Sequence, residues 1–314
     1  MIIPDDPHKG ILDDEGITAV MSGQLKPWTN LLRDLANYGS NLIPRAYTSS
    51  GKTLGDAVLI GTLLKQLVAM LDAIEILLCR SAVHAAALQL RAMFESSVYI
   101  EWMLGGDRES KAAYYYVHNL QRLRVWAMRV QSGTAESIIF KNSLDGLPVD
   151  ETLSDEGKNL VREIDRILSQ SQFAVISDTF RHWKKQNKRA PAWYSPFGVR
   201  DLRNMAVLVK QEPMYVFVYG TGSEVMHASN FGHHIAFSTG RRVTFRSIRH
   251  PKDFPKTVRF TAAIAINIFR KVLREYRSEE CTTSFRRKYL EKWQKAFMNL
   301  PELHIDERDL GSSS

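Results

Sequence analysis

The chain is predicted to be all-α: a single helical bundle of long antiparallel helices, with room for one small β-hairpin. Three observations predict it. Apolar residues recur three and four positions apart through most of the 314 residues, which is the period of an amphipathic helix. From Thr53 to Leu104 that pattern runs almost without pause. Strict alternation, the mark of a half-buried strand, is confined to the neighbourhood of Val243 and Phe245. With 44% apolar and 24% charged residues, the composition is that of a compact fold and excludes a disordered chain.

Residues 1–24 are acidic and rich in Gly and Asp and read as a flexible arm; a single helical domain is expected over 25–299, and 300–314 read as a disordered tail. Leu31, Leu32, Leu35 and Leu42 mark a first helix, which Pro44 is expected to stop because it lacks the N–H a helix interior needs. Ser49-Ser50-Gly51-Lys52-Thr53 looks like the end of a phosphate-binding loop, but Ala46 stands where the first glycine belongs. Ser81, as an N-cap, divides the stretch from Thr53 to Leu104 into two antiparallel helices. A helix over Glu109–Gln131 follows, then a polar, turn-rich surface loop over Gly133–Asp155.

Further helices are predicted over Ser154–Ser171 and Val175–Lys188, then an aromatic turn at 191–196 and a short helix over Val199–Val209. Pro213 opens the segment that carries Tyr219 to His227. Gly220 and Gly222 each weaken a continuous helix by about 1 kcal/mol. Thr221-x-x-Glu224 matches a capping box, so a break and restart near Thr221 is expected. Basic amphipathic helices over Lys256–Arg277 and Thr282–Asn299 close the fold.

The formal charge of +8 gathers in clusters at Arg181–Arg189, Arg241–Lys252 and Arg270–Lys295, which favours a polyanionic partner such as RNA or a nucleotide. The candidate phosphate contacts are Arg181, Lys184, Lys185, Arg189, Arg241, Arg242 and Arg246, with Trp193 and Tyr194 as rings to stack on bases. Solvated helix faces give the same clusters a plain alternative meaning. Two cysteines, Cys79 and Cys281, exclude a disulfide framework and a four-cysteine zinc site, so a cytoplasmic setting is expected. The first twenty residues lack the basic start and apolar run of a secretory signal. Leu54 to Leu78 is apolar but carries Asp56, Lys65, Asp72 and Glu75, so it reads as a buried helix and no membrane partner is expected. A homo-oligomer or an antitoxin-like partner fits the pattern.

Two polar sets at helical spacing stand inside apolar stretches: Arg91 with Glu95, and Tyr219 with Ser223 and His227. Residues four apart differ by about 40° around a helix, so each set shares one face. Together they offer a cation, a carboxylate, two hydroxyls and an imidazole. The structural alternative is an Arg91–Glu95 ion pair that fixes helix register, with His84 as a satisfied core histidine. Glu224-x-x-His227 is the element of di-iron bundles, but no second copy exists; His227, His233 and His234 lack zinc spacing, so neither metal nor cofactor is expected.

Leu88-Gln89-Leu90-Arg91-Ala92-Met93-Phe94-Glu95-Ser96 resembles the Arg-x-x-x-Glu helix of bacterial proteins grouped as domain of unknown function 5677. Trp193, the helix around Leu202–Val209 and Tyr219-x-x-x-Ser223-x-x-x-His227 are similar to that family's second half, and the resemblance covers roughly Thr53 to His234. It implies an all-helical cytoplasmic protein of unassigned activity in which Arg91, Glu95, Tyr219, Ser223 and His227 face one another. A looser similarity is to the helical HEPN ribonucleases of toxins and phage defence, whose Arg and His lie five to seven positions apart in one motif. None of the nine histidines here has that arginine upstream.

The leading expectation is therefore a metal-independent ribonuclease or nucleotide-processing protein. In it His227 is the general acid or base, Arg91 stabilises phosphoryl charge, Glu95 orients Arg91 or His227, and Ser223 or Tyr219 positions a phosphate oxygen. The alternative is a non-enzymatic binding or sensor module for RNA or a small anionic ligand.

Overall fold

The computed structural model describes residues 11, 12, 23, 25–143, 152–187, 191–237 and 243–300. The fold is all-α, with eleven helices among the described residues. α1 spans Lys26–Thr48. α2 is one rod made of Leu54–Asp56, Ala57–Leu64 and Lys65–Leu78, and its middle stretch is wound in wider i→i+5 turns. α3 is Val83–Leu104, α4 Arg108–Val130, α5 Ala135–Ser143, α6 Thr152–Leu168, α7 Ser171–Asn187 and α8 Leu202–Leu208. α9 joins Glu212–Met214, a wider turn at Tyr215–Tyr219, and Gly220–Met226. α10 is Phe254–Tyr276, and α11 runs from Ser278 through Met298.

The chain divides into two compact units. The first comprises Met1–Lys52, Leu59–Gly105 and Leu202–Ser314; the second comprises Thr53–Val58 and Gly106–Asp201.

In the first unit, α1, most of α2, α3 and α10 pack together. Their apolar faces bury Trp28, Leu35, Leu64, Leu71, Phe94, Ile268 and Phe269. Each such side chain contributes roughly 1.5–3 kcal/mol on leaving water. Gly39 is required where α1 crosses its neighbours, because a Cβ there would lie 2.6 Å from the Phe269 ring and 2.8 Å from Val68. Buried Glu101 on α3 accepts hydrogen bonds from Asn267 at 2.7 Å and Gln211 at 3.2 Å and pairs with Lys271, which ties α10 and the start of α9 to α3.

α2 is long and apolar enough to cross a membrane by length and composition alone, and half of its most apolar window is buried in the packing. Its Glu75 is buried and bonded to Arg33 of α1 at 2.5 Å.

The second unit sets α4 against α5, α6 and α7. Gly157 lets α6 lie close on α4, since a Cβ there would meet the Ala127 carbonyl at 2.8 Å. Where α2 begins, Thr53 and Asp56 form a reciprocal capping box, and Glu109 accepts from the Thr53 hydroxyl at 2.6 Å and the Gly55 N–H at 3.0 Å.

Several local expectations are corrected. Pro44 lies inside α1, which runs one turn further to Thr48. Ser81 is a buried residue at φ 54 in the connection from α2 to α3, and Ala82, with no side-chain bond, is the N-cap. The stretch read as a loop from Gly133 holds α5. The hairpin is present: β1, Ile235–Phe237, pairs antiparallel with β2, Val243–Phe245. Most of the expected N-terminal arm and the tail from residue 301 lie outside the described residues. Ile11 of that arm is described, and its carbonyl accepts from the Ile248 N–H at 2.8 Å and the Ser247 hydroxyl at 3.2 Å.

Candidate functional site

α3 and α9 cross in the first unit at very short range, and a glycine permits it. A Cβ on Gly222 would stand 2.5 Å from the Arg91 Cβ and 2.9 Å from the Ala87 carbonyl oxygen. Gly222, read from sequence as a helix weakener, is thus the residue that lets the helices touch. The predicted break at Thr221 does not occur. The Thr221 hydroxyl donates to the Phe217 carbonyl at 2.9 Å, four residues back, in place of capping a new helix.

The crossing brings Arg91 to Tyr219. The guanidinium lies 4.1 Å from the Tyr219 ring centre, donates to its hydroxyl at 2.7 Å and reaches the Met226 sulfur at 3.3 Å. The wider turn of α9 places Tyr215 beneath Tyr219, with the rings stacked 4.8 Å apart at 15°. Glu95 does not join them: its carboxylate accepts from the Tyr99 hydroxyl at 2.7 Å, four residues along its own helix. Ser223 is half-buried, and its carbonyl accepts the His227 N–H at 3.1 Å. His227 itself is exposed at the C-cap of α9. Of the five residues expected to face one another, Arg91 and Tyr219 are in contact.

Beside that crossing the same two helices line a cavity of about 140 Å³. His84 of α3, His233 and His234 before β1, and His250 all face it. Arg246, Lys252 and Lys256 supply permanent positive charge, and Asp253 is the single carboxylate among the lining residues. The His84 ring centre lies 4.8 Å from that of His234 and 5.5 Å from that of His233. The side-chain amide of buried Asn230 lies 3.4 Å from His84 Nδ1, within hydrogen-bonding distance.

Burial first, then the charges of His234 and His233, hold the His84 imidazole below its ordinary range. Burial also lowers His233, with Lys252, Arg246 and His234 adding to the effect and Asp253 opposing it. Among the described residues no three His, Cys, Asp or Glu side chains are placed to hold one metal ion. The lowered imidazoles of His84 and His233, beside fixed cations, suit recognition of an oxyanion and movement of a proton on or off it.

Sequence reasoning assigned His84 to the core and weighed His233 and His234 only as metal ligands. The usable signal was local: His233, His234, Arg246, His250, Lys252 and Lys256 fall within two dozen residues.

The basic residues expected to touch RNA separate. Arg246 lines the cavity, whereas Arg181, Lys184 and Lys185 are exposed on α7 of the second unit. Arg189, Arg241 and Arg242 lie outside the described residues. Trp193 is only 5% exposed, edge-on to Tyr115 at 5.1 Å and to Tyr194 at 5.6 Å, so its ring offers no free face for a base.

Neither curated proteins nor solved structures gave a match. A family model, the family of unknown function DUF5677, matches residues 56–241, which include α3, α9 and the Arg91–Tyr219 contact. That match covers more than half of the 314 residues, and the chain belongs to the DUF5677 family.

Proposed function

We propose that this protein recognises a small phosphate-bearing anion in the histidine-lined cavity of its first unit. One observation carries the reading: four imidazoles and three permanent cations line a single recess that has one carboxylate in its wall. An oxyanion entering there meets fixed charge at once. It gains more when an imidazole takes up a proton, because the positive form is the one an anion stabilises. Binding is therefore coupled to proton uptake and strengthens as the pH falls toward the histidine range.

Calorimetric titration with inorganic phosphate, and separately with adenosine monophosphate, tests this at about pH 7.5 and about pH 6. Affinity should rise at the lower pH and fall about tenfold or more in His84→Gln and in the double variant Lys252→Ala/Lys256→Ala. Absence of heat at millimolar phosphate, or binding indifferent to both variants, overturns it.

A second reading is catalytic: a metal-independent ribonuclease or nucleotide-processing activity, of the kind HEPN proteins use in phage defence. It is favoured by the close rings of His84 and His234 and by the lowered pKa of His84, which suits a general base. Cleavage of a labelled RNA that disappears in His84→Gln and persists in His227→Ala would support it.

A further inference from the structure

From the geometry of the second unit we infer a separate site for the nucleotide unit of single-stranded RNA: an open groove of about 940 Å³ between α4 and α7. Four observations meet there.

Along one wall, α4 presents Arg122, Arg124 and Arg129; α7 faces them with Arg181 and Lys184. Against these five cations stand the carboxylates of Asp165 and Asp178. Asp165 is committed to Arg124, which holds it through two bonds of 2.7 and 3.2 Å. Asp178 pairs with Arg181 at 2.9 Å, but both side chains are about two-thirds exposed, and an exposed pair three residues apart is worth little and re-pairs readily. The groove therefore keeps positive charge for a phosphodiester backbone.

Trp126 lies in the same wall, 56% exposed although it is a large aromatic ring, with the Arg129 guanidinium 4.2 Å from its centre. A base laid on such a ring gains stacking and cation–π attraction together.

Ser177, nine-tenths buried, lines the groove, and its Oγ has no hydrogen-bond partner. In a native protein a buried unpaired hydroxyl calls for a reason, and a ligand oxygen or amine supplies one.

His118 lines the groove as well. Its buried Nδ1 has no hydrogen-bond partner. Burial, aided by the charge of Arg122, holds that imidazole below its ordinary value, so near pH 7 the ring is neutral and its buried nitrogen is open to a ligand's polar group.

The site shares none of its residues with the histidine-lined cavity, and the assignment does not rest on the function proposed there. The phosphates belong on Arg122, Arg181 and Lys184 and a base on Trp126. A free nucleotide offers the same chemistry, so it is the second source to be separated.

The experiment is fluorescence anisotropy of the full chain with an end-labelled oligouridylate of about ten nucleotides, at about 50 and about 200 mM salt. Circular dichroism checks each variant. Binding is expected at the lower salt and should weaken steeply at the higher. The double variant Arg122→Ala/Arg181→Ala should lose at least about tenfold in affinity, and Trp126→Ala about five- to tenfold. Ser177→Ala should weaken binding without lowering the melting temperature, because it removes an unpaired hydroxyl. Competition by adenosine monophosphate at micromolar concentration would identify the free nucleotide as the ligand of this groove; competition by unlabelled RNA alone would identify RNA. No binding at low salt overturns the inference. So does binding that ignores Trp126→Ala and Ser177→Ala, which would be undirected charge attraction, and so does binding lost in Lys252→Ala/Lys256→Ala but kept in the groove variants.

Discussion

The two units each build a positively charged recess, and they do it with different side chains. The first unit's cavity is small and has a largely apolar wall that carries four imidazoles, with His84 and His233 partly buried, beside Arg246, Lys252 and Lys256; the second unit's groove is wide and its charge comes from guanidinium groups and a lysine. The difference follows from what each group costs to bury. An imidazole can shed its charge when walled in, and burial lowers its pKa to that end, whereas a guanidinium stays charged and must remain solvated or paired. The cavity thus adds conditional charge to its permanent charge, whereas the open groove relies mainly on permanent charge. The cavity should respond to pH, and the groove to salt.

The largest break in that comparison comes from the glycines that set helix spacing. Gly222→Val forces a side chain into the Ala87 carbonyl and Arg91, so α9 must move off α3. A loss of about 3 kcal/mol in denaturant stability, together with loss of phosphate heat, is expected. Gly157→Val is the matching change in the second unit, where the side chain would press on Ala127 and Val130. It should cost a similar amount and remove oligonucleotide binding.

A smaller effect, about 1–2 kcal/mol, is expected for Arg91→Ala, which deletes the stack and the hydrogen bond on Tyr219. Arg91→Lys should recover little of it, because an ammonium lacks the planar face.

The pH response sharpens the contrast. His84 and His233 ionise below their unfolded value of about 6.5, so as the pH drops the unfolded chain takes up protons first. The stability they contribute is present above that pH and is lost progressively as the pH falls through their lower folded values. Thermal melts from about pH 7.5 down to about pH 5.5 should show a decline that is shallower in the double variant His84→Gln/His233→Gln. Equal slopes would mean that these rings are not restrained as the geometry indicates.

Smallest of all, His227→Ala should stay within about 0.5 kcal/mol of the parent, since the ring is exposed at a helix end.

Helix periodicity made most of the architecture legible. α1, α3, α4 and α10 begin and end within a few residues of where their apolar stripes place them, because packing against a core is what creates the stripes. Where local rules failed, a competing interaction had won. Thr221 matched a capping box, but its hydroxyl bonds one turn back within a continuous helix. Arg91 and Glu95 share a face, yet Arg91 extends across the crossing to Tyr219 and Glu95 turns to Tyr99. One-dimensional spacing shows who could meet within a helix and says nothing of a better partner on another. The cavity was hidden for the same reason: its walls come from residues within 82–90, 217–225, 233–234 and 246–260, which only the fold assembles.

Ile11 carries one further consequence. Its carbonyl accepts from Ser247 and Ile248, and those two residues belong to the wall of the cavity. The hydroxyl bond joins positions separated by 236 residues, which makes this stretch of wall a product of very long-range closure. The entropy of drawing such distant positions together is recovered only after the intervening helices have packed. Amide exchange at Ile248 is accordingly expected to be faster than in the α1–α3 core. A bound anion would slow that exchange by holding the wall shut, and cutting the chain just after residue 12 would quicken it. The backbone at Ile11 thus helps to hold this stretch of the recess wall in place.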